Sequence, residues 1–397
     1  MKHALCLIKS PSKTALNKKL VQAKIDLLNQ KAQYPTYIDN QTLKAPHYVF
    51  AQVFDPDELT NWQPDHEPSI VEINKTRPIT GLFTGQGAQF FNMGKSHYEH
   101  IPVFKQQMDL CAKILEPLLG LNILACMFEE QYAPQLNQTK ITQPVLFAFE
   151  YAMAQVLKHW GIHFDLVIGH SVGEFAAATI AGMIELEDGL KLIAKRAELM
   201  QSLPSGGTMA AVMTDYQTMT DWISSLDYTQ QIDIAGINAP SQTVISGEQL
   251  AISELITYAK SQQVKAVKLD VSHAFHSMLM DPILNTYQNF ANQVEYRPPT
   301  DTQVISNVTG QVLTSLDGHY WKEHIRQPVN FCKGIEHAAK LGSETFIELG
   351  PQPILSQLGK KTLTEPNFNW LPTSKRKAAG IEDLFESVKK LSTSTFQ

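Results

Sequence analysis

The chain has 397 residues and a mass of 44.4 kDa, enough for two or three domains at about 100–200 residues each. Hydrophobic residues make up 43% and charged residues 18%, which excludes a wholly disordered chain, and a net charge of −6 argues against nucleic acid as the main ligand. Four widely spaced cysteines (Cys6, Cys111, Cys126, Cys332) without a C-x-x-C pair predict neither a disulfide framework nor a zinc site, and point to a reducing, cytoplasmic setting.

In chain order, residues 1–76 differ in texture from the rest. An apolar run at 4–8 predicts a strand. Residues 12–31 predict an amphipathic helix, with Leu16, Leu20 and Leu27 on one side and Val21, Ile25 and Leu28 beside them. Seven lysines fall in the first 31 residues against one acid, Asp26. They fit either a docking surface for an acidic partner or a solvated helix face. A second strand is expected at 47–54 and a short helix at 55–62. The polar stretch 63–78 carries three prolines and reads as a domain boundary.

From Pro78 the pattern is α/β. A strand at 79–83 runs into the turn GQGAQ; helices follow at 143–160, 174–184 and 186–203, with a strand at 164–168 before the second of them. Residues 208–271 have their own order: strand 208–213, helix 215–226, strands 232–237 and 243–246, helix 249–262, strand 264–271. That βαββαβ order is the ferredoxin-like arrangement, inserted into the larger body. The body resumes with strands at 303–306 and 345–349, and the chain ends in a basic segment, LPTSKRK, and a helix at 381–391. No membrane span is expected, because the best apolar run, 145–157, is broken by Glu150. The apolar run of MKHALCLIKS is too short for a signal peptide.

The strongest local signal is Gly169-His170-Ser171-Val172-Gly173-Glu174, a match to G-x-S-x-G between a predicted strand and helix. Such a turn carries a serine at its tip, and the flanking glycines remove side chains that would collide there. The same residues would also suit an ordinary turn with a capping serine. A serine nucleophile needs a base. His273 and His276, in HAFHS, lie where the inserted unit rejoins the body; His170 reads as a packing and hydrogen-bonding residue. Acyl transfer also needs donors aimed at the developing oxyanion. The Val172 amide is one candidate, and the turn Gly85-Gln86-Gly87 after strand 79–83 is the place for a second. That turn lacks the Lys-Ser/Thr of a P-loop and the spacing of a dinucleotide fingerprint.

FTGQGAQ, GHSVGE, KRAELMQ, HAFHS and FIELGP occur in this order. Through them the chain, over about 78–372, resembles the malonyl-CoA:acyl carrier protein acyltransferase family. It is closest to the acyltransferase domains of modular polyketide synthases. The resemblance implies an α/β-hydrolase-like large subdomain (77–207 and 272–372) with an inserted ferredoxin-like small subdomain (208–271). A small α+β linker domain of the ketosynthase-to-acyltransferase type (1–76) would precede them, and a post-acyltransferase tail (373–397) would follow. Carried over residue by residue, Ser171 is the acylated nucleophile and His276 its base, with Gln86 and Val172 forming the oxyanion hole. Arg196 holds the malonyl carboxylate. Gln143, Asn238, His273 and Phe275 complete the substrate pocket. A main-chain carbonyl in the segment 321–329, assigned to His324, orients the histidine. The HAFH tetrapeptide resembles the malonyl-selective version.

The resemblance further implies substrates malonyl-CoA and phosphopantetheinyl acyl carrier protein, no permanently bound cofactor and no metal. It also implies a ketosynthase partner for residues 1–76, and a role in polyketide or fatty-acid biosynthesis. Two other readings stay open. A serine hydrolase or thioesterase would need an acid near His276, for which Asp270 is the candidate. A non-catalytic docking module would retain the fold without the chemistry.

Overall fold

The protein is described by a computed structural model over residues 3–30, 34–39, 47–64, 70–73, 77–376 and 380–394. Its centre is a sheet of five strands: β5 (Ile79–Phe83), β6 (Leu166–Gly169), β11 (Gln303–Ile305), β12 (Thr345–Glu348) and β13 (Asn369–Pro372). Their order is β11-β6-β5-β12-β13, and every pair is parallel. Short, continuously apolar strands suit such a sheet because both faces are covered. Leu82, Leu166, Ile168, Ile305 and Phe346 join one buried cluster, while their chain neighbours Phe83, Val167, Val304 and Ile347 join the main core on the other face.

The main core is built on α6 (Thr139–His159), which is buried over most of its surface and packs against α8 (Leu186–Gln201) and α4 (Pro102–Leu119). The sequence motifs give no hint of α4, although Phe104, Met108, Cys111, Ala112 and Leu115 recur at helical spacing and are all buried. Helices α11 (Asp281–Ala291), α12 (Gly318–Arg326) and α13 (Phe331–Lys340) likewise lie between the predicted strands, and α14 (Leu355–Thr362) follows the last of them, before β13, a strand not predicted from the sequence.

Residues 207–268 form the second sheet: β7 (Gly207–Val212), β8 (Ile232–Ala239), β9 (Gln242–Glu248) and β10 (Ala266–Lys268), with α9 (Tyr216–Ser225) and α10 (Gln249–Ser261) between them. The strand order is β10-β7-β9-β8, antiparallel throughout. The last strand stops at Lys268 instead of reaching 271; beyond it only Leu269 N–H still bonds the Met209 carbonyl, at 2.9 Å.

At the amino terminus, β1 (Ala4–Ser10), β2 (Thr36–Ile38), β3 (His47–Phe54) and β4 (Val71–Ile73) make a third sheet, ordered β2-β1-β3-β4. Ala4, Cys6, Ile8, Phe50 and Phe54 pack on Leu16, Leu20, Ala23 and Leu27 of α1 (Lys13–Asn29), whose first turn is capped by Ser12 Oγ. The opposite side chains, Leu5, Leu7, Val49, Ala51 and Val53, join the main core with Leu384, Phe385 and Val388 of the terminal helix α15 (Glu382–Ser394). Val21, Ile25 and Leu28 face outward, each more than 40% exposed.

Three of the amino-terminal lysines make internal contacts. Lys19 pairs with Asp39 at 2.5 Å, Lys24 donates to the Thr60 carbonyl, and Lys9 donates to Gly161 O at 3.3 Å. Lys2 and Lys31, the middle of the proline-containing stretch (65–69 and 74–76) and Lys377 of the basic segment lie outside the described residues.

All four cysteines are buried, and none forms a disulfide among the described residues. Among the described residues no helix is long and apolar enough to cross a membrane, and no cluster of three metal-ligating side chains occurs. Because Leu20 fills the α1–sheet contact and Val21 does not, Leu20→Ala is expected to cost about 2–5 kcal/mol of stability. Val21→Ala should shift it by no more than about 0.5 kcal/mol. Urea denaturation followed by fluorescence, with Trp62 in the same cluster as reporter, checks the contrast.

Candidate active site

The elbow forms where β6 ends. The chain turns through His170 and Ser171 into α7 (Gly173–Ile180), and Ser171 takes φ = 51°, a left-handed conformation rare outside glycine. The flanking glycines are sterically required. A Cβ on Gly169 would lie 2.0 Å from Glu174 N, and one on Gly173 would lie 2.2 Å from the Phe83 carbonyl oxygen.

Asn307, two residues past β11, holds the turn. Its Oδ1 accepts the Ser171 N–H at 2.6 Å, its Nδ2 donates to the Gly169 carbonyl, and its own N–H donates to Glu174 Oε2 at 2.6 Å. Glu174 also accepts the Tyr320 hydroxyl, and burial pushes its carboxyl up to about 7. Sequence reasoning missed Asn307. The available signal was a polar residue directly after a parallel strand, at the sheet edge where functional side chains converge.

Ser171 Oγ lies 2.9 Å from His276 Nε2. His276 Nδ1 lies 2.9 Å from the Gln327 carbonyl oxygen. A carbonyl only accepts, so Nδ1 carries the proton and Nε2 turns a lone pair to the serine hydroxyl. Burial, with the Arg196 charge second, lowers the His276 pKa to about 3, so the ring is neutral near pH 7. Like Ser171, His276 has a positive φ, 58°.

The orienting carbonyl is therefore that of Gln327, not His324. Gln327 caps α12 with extended backbone (φ −78°, ψ 156°) and turns its carbonyl off the helix. His324 sits inside the helix, buried, with its ring against Trp321 and Phe175 and neither ring nitrogen hydrogen-bonded. Asp270 is exposed, and among the described residues no carboxylate bonds His276.

Arg196, on α8, is only 1% exposed. Its Nη1 donates to Gln143 Oε1 at 2.7 Å and its Nη2 to Ser171 Oγ at 2.9 Å. Among the described residues no carboxylate pairs with it, and burial lowers its pKa to about 10, still a cation at neutral pH. Gln143 in turn donates to Gln86 Oε1 at 3.3 Å, and Gln86 Nε2 donates to Thr139 Oγ at 3.3 Å. The amides flanking Val172 are engaged, Ser171 N–H by Asn307 and Gly173 N–H by the His170 carbonyl. The Val172 N–H has no such partner among the described residues.

These groups surround a cavity of about 380 Å³ lined by Ser171, His276, Arg196, Gln86, Val172, Gln143, Asn238 and Phe275. Met209, Ala211 and Val244 of the second sheet supply an apolar wall; Lys361 is the other permanently charged lining residue, and no acid lines the cavity. Asn238 Oδ1 accepts from His170 Nε2 at 2.9 Å, so His170 has the hydrogen-bonding place expected of it.

His273 does not line the cavity. Its Nε2 donates to the Leu203 carbonyl at 3.1 Å and its Nδ1 accepts from Ser272 Oγ at 2.8 Å, which ties the ring to the end of α8. A strained serine, a neutral histidine and a buried cation around one cavity can support acyl transfer through a covalent serine ester.

Comparison with known proteins fits that class. The acyl transferase domain profile matches residues 80–396, and the chain belongs to this family. It is 37% identical over 290 residues to the spectinabilin polyketide synthase system protein NorB of Streptomyces orinoci, covering 72% of this chain and 13% of that protein. It is 39% identical over 275 residues to the phenolphthiocerol synthesis polyketide synthase type I Pks15/1 of Mycobacterium marinum, covering 68% and 13%. The chain thus spans about an eighth of the length of these curated relatives.

Among solved structures, it resembles the acyltransferase domain from the second module of the salinomycin polyketide synthase. The TM-score is 0.77 at 34% identity, covering 84% of this chain and 78% of that one. It also resembles the malonyl CoA-acyl carrier protein transacylase of Clostridium perfringens, with a TM-score of 0.71 at 28% identity, covering 79% and 97%.

Two outcomes follow from the geometry. Gly173→Ala should lower the thermal midpoint and abolish labelling of Ser171 by a serine-directed probe, because the added Cβ displaces β5 or the elbow. A folded variant labelled at the wild-type rate would contradict this. The second concerns pH. His276 Nε2 can accept the Ser171 proton only while the ring is neutral, so the labelling rate should show no loss attributable to it from pH 8 down to about 5. In the unfolded chain this histidine binds its proton near 6.5, so its contribution lowers stability as pH falls from 6.5 toward 3 and is nil above that window. Rate and thermal midpoint measured across pH 4–8 check both signs.

Proposed function

We propose that the protein transfers a malonyl unit from malonyl-CoA to the phosphopantetheine thiol of an acyl carrier protein, through a Ser171 ester, in polyketide or fatty-acid biosynthesis. The observation that carries this reading is the buried guanidinium of Arg196, without a carboxylate partner and in contact with the serine. In malonyl thioesters the free carboxylate lies one methylene from the thioester carbonyl. A group attacked by Ser171 can therefore lay its carboxylate on the guanidinium, a planar bidentate partner that lysine would not supply. Acetyl-CoA lacks that anion. Truncating one member of such a buried pair costs about 2–5 kcal/mol.

The steps follow from the contacts. His276 Nε2 takes the Ser171 proton as Oγ attacks the thioester carbonyl, and the Gln86 and Val172 amides receive the oxyanion. The C–S bond breaks, coenzyme A leaves with the proton from His276, and malonyl remains on Ser171. The carrier thiol then gives its proton to His276 and attacks the ester, and Ser171 recovers its hydrogen. Lys361 in the cavity lining supports a substrate arm that carries phosphate. The Gln327 carbonyl in the place where a hydrolase triad has a carboxylate favours transfer over hydrolysis. Phe275 in the cavity wall belongs to the HAFH segment, which supports malonyl over bulkier extenders.

In this reading the body (77–207 and 272–372) is the hydrolase-like catalytic subdomain, and 208–271 is the ferredoxin-like subdomain that covers the pocket and excludes water. Residues 1–76 are a linker able to receive a ketosynthase, 373–397 a trailing linker, and the setting is cytoplasmic. The chain would need no resident cofactor.

Intact-protein mass spectrometry after brief exposure to equimolar malonyl-, methylmalonyl- and acetyl-CoA tests the proposal. We expect one malonyl adduct on the wild type, none on Ser171→Ala, and acetyl displacing malonyl on Arg196→Ala. Steady release of free acid without an adduct would favour a hydrolase, and a folded protein with neither adduct nor turnover would favour a docking module.

A further inference from the structure

Helix α6 carries a buried acid that the reaction above leaves unused. Glu150 is fully buried, and its Oε1 accepts two hydrogen bonds from a single residue: the Thr84 N–H and the Thr84 hydroxyl, each at 2.5 Å. Its Oε2 has no hydrogen-bond partner. Burying a carboxyl with one oxygen unpaired is costly, and such a group calls for an explanation.

The position of Thr84 supplies one. It is the first residue after β5 and opens the turn Gly85-Gln86-Gly87. The same helix grips this turn at two further points, since Gln143 donates to Gln86 Oε1 and Thr139 accepts from Gln86 Nε2. Positions 139, 143 and 150 are spaced by four and seven residues, which places them on one helical face. Gly350 also packs against Thr84, where an added Cβ would meet the threonine Oγ at 2.3 Å. A chain fixed this way at Thr84 has little freedom at the next two peptides.

We propose that Glu150 is a positioning residue: by clamping Thr84 to α6 it fixes the Gln86 amide at the acyl-transfer centre. The proposal rests on the reading of Gln86 as an oxyanion donor. A donor displaced by about 1 Å loses most of its value in the transition state while substrate binding is little changed. The clamp therefore acts on the rate of serine attack and not on affinity. Burial raises the Glu150 pKa, and a glutamine amide offers Thr84 the same accepting oxygen.

The test compares Glu150→Gln, Glu150→Leu, Thr84→Val and Thr84→Ser in the full chain. Two rates are measured for each: Ser171 acylation at saturating malonyl-CoA, and Ser171 phosphonylation by a fluorophosphonate, which also needs the oxyanion donors but no malonyl recognition. Malonyl-CoA affinity is measured separately in a Ser171→Ala background. Glu150→Gln and Thr84→Ser should stay within about twofold of wild type. Glu150→Leu and Thr84→Val should lose at least about tenfold in both rates, with affinity unchanged.

Where Glu150→Leu does not fold, Thr84→Val decides, because it removes only a hydroxyl and leaves the backbone bond. Wild-type rates in Thr84→Val, a loss confined to affinity, or a Glu150→Gln as slow as the leucine variant would overturn the proposal. A wild type that takes the fluorophosphonate but not malonyl-CoA would instead refute the malonyl reading, and the clamp would still be judged by the phosphonylation rates.

Discussion

A guanidinium taken out of water without an anion is the constraint around which this site is organised. Moving an ion of this size into the interior costs several kcal/mol even after relaxation. Arg196 recovers part of that through hydrogen bonds to Gln143 and Ser171 and through its place 5.7 Å from the Phe175 ring centre, while its Nε remains unpaired. A side chain kept there only for packing would be better replaced by an apolar one of similar volume. The charge also acts on its neighbours. It is the second cause, after burial, of the low pKa of His276, so the residue that would hold the acyl group's carboxylate also keeps the base neutral.

Strain at the site is concentrated on the two residues whose side chains meet in the 2.9 Å contact, Ser171 and His276. Ser171 and His276 both take left-handed backbone, and both are held by groups from distant parts of the chain. Asn307 fixes the serine amide, and the Gln327 carbonyl fixes the histidine tautomer. Non-glycine residues in this conformation persist only where the surroundings over-determine them. The carboxyl edge of the parallel sheet provides those surroundings. The elbow follows β6, the glutamine turn follows β5, and Asn307 follows β11, so three adjacent strand ends converge on one point.

What could be read in the sequence follows from the range of the forces involved. The elbow was legible because its requirement is local, with Gly169 and Gly173 excluding a Cβ by contacts within the turn and with the neighbouring β5. The βαββαβ order of 207–268 was legible because each element is short, periodic and bounded by turn residues. The histidine-orienting group was not, because a backbone carbonyl leaves no mark in the side-chain sequence; only its segment, 321–329, could be named. Asn307 was missed for a related reason: its place after a strand marks the sheet edge, but nothing near it in the chain names a partner 136 residues away. His273 misled because its type and place suit a pocket, while the Leu203 carbonyl 70 residues earlier turns the ring elsewhere.

The cavity lies between the parallel sheet and the β7–β10 sheet, and both contribute to its lining. Both permanently charged lining residues, Arg196 and Lys361, come from the parallel-sheet body with Ser171 and Gln143, His276 lies just past the small unit, and Asn238 of the small unit accepts from His170. The apolar wall comes from the small unit, through Met209, Ala211 and Val244. The two contributions meet where the chain returns from β10 to the body, in the segment that includes Phe275. Substitutions at Met209, Ala211 and Val244 would therefore reshape the cavity without altering Ser171, His276 or Arg196. Substitutions around Arg196 would act on more than shape, because its guanidinium donates to Ser171 Oγ and, after burial, is the second cause of the low His276 pKa. The charged groups and Ser171 therefore sit in one unit, while the other supplies part of the apolar wall.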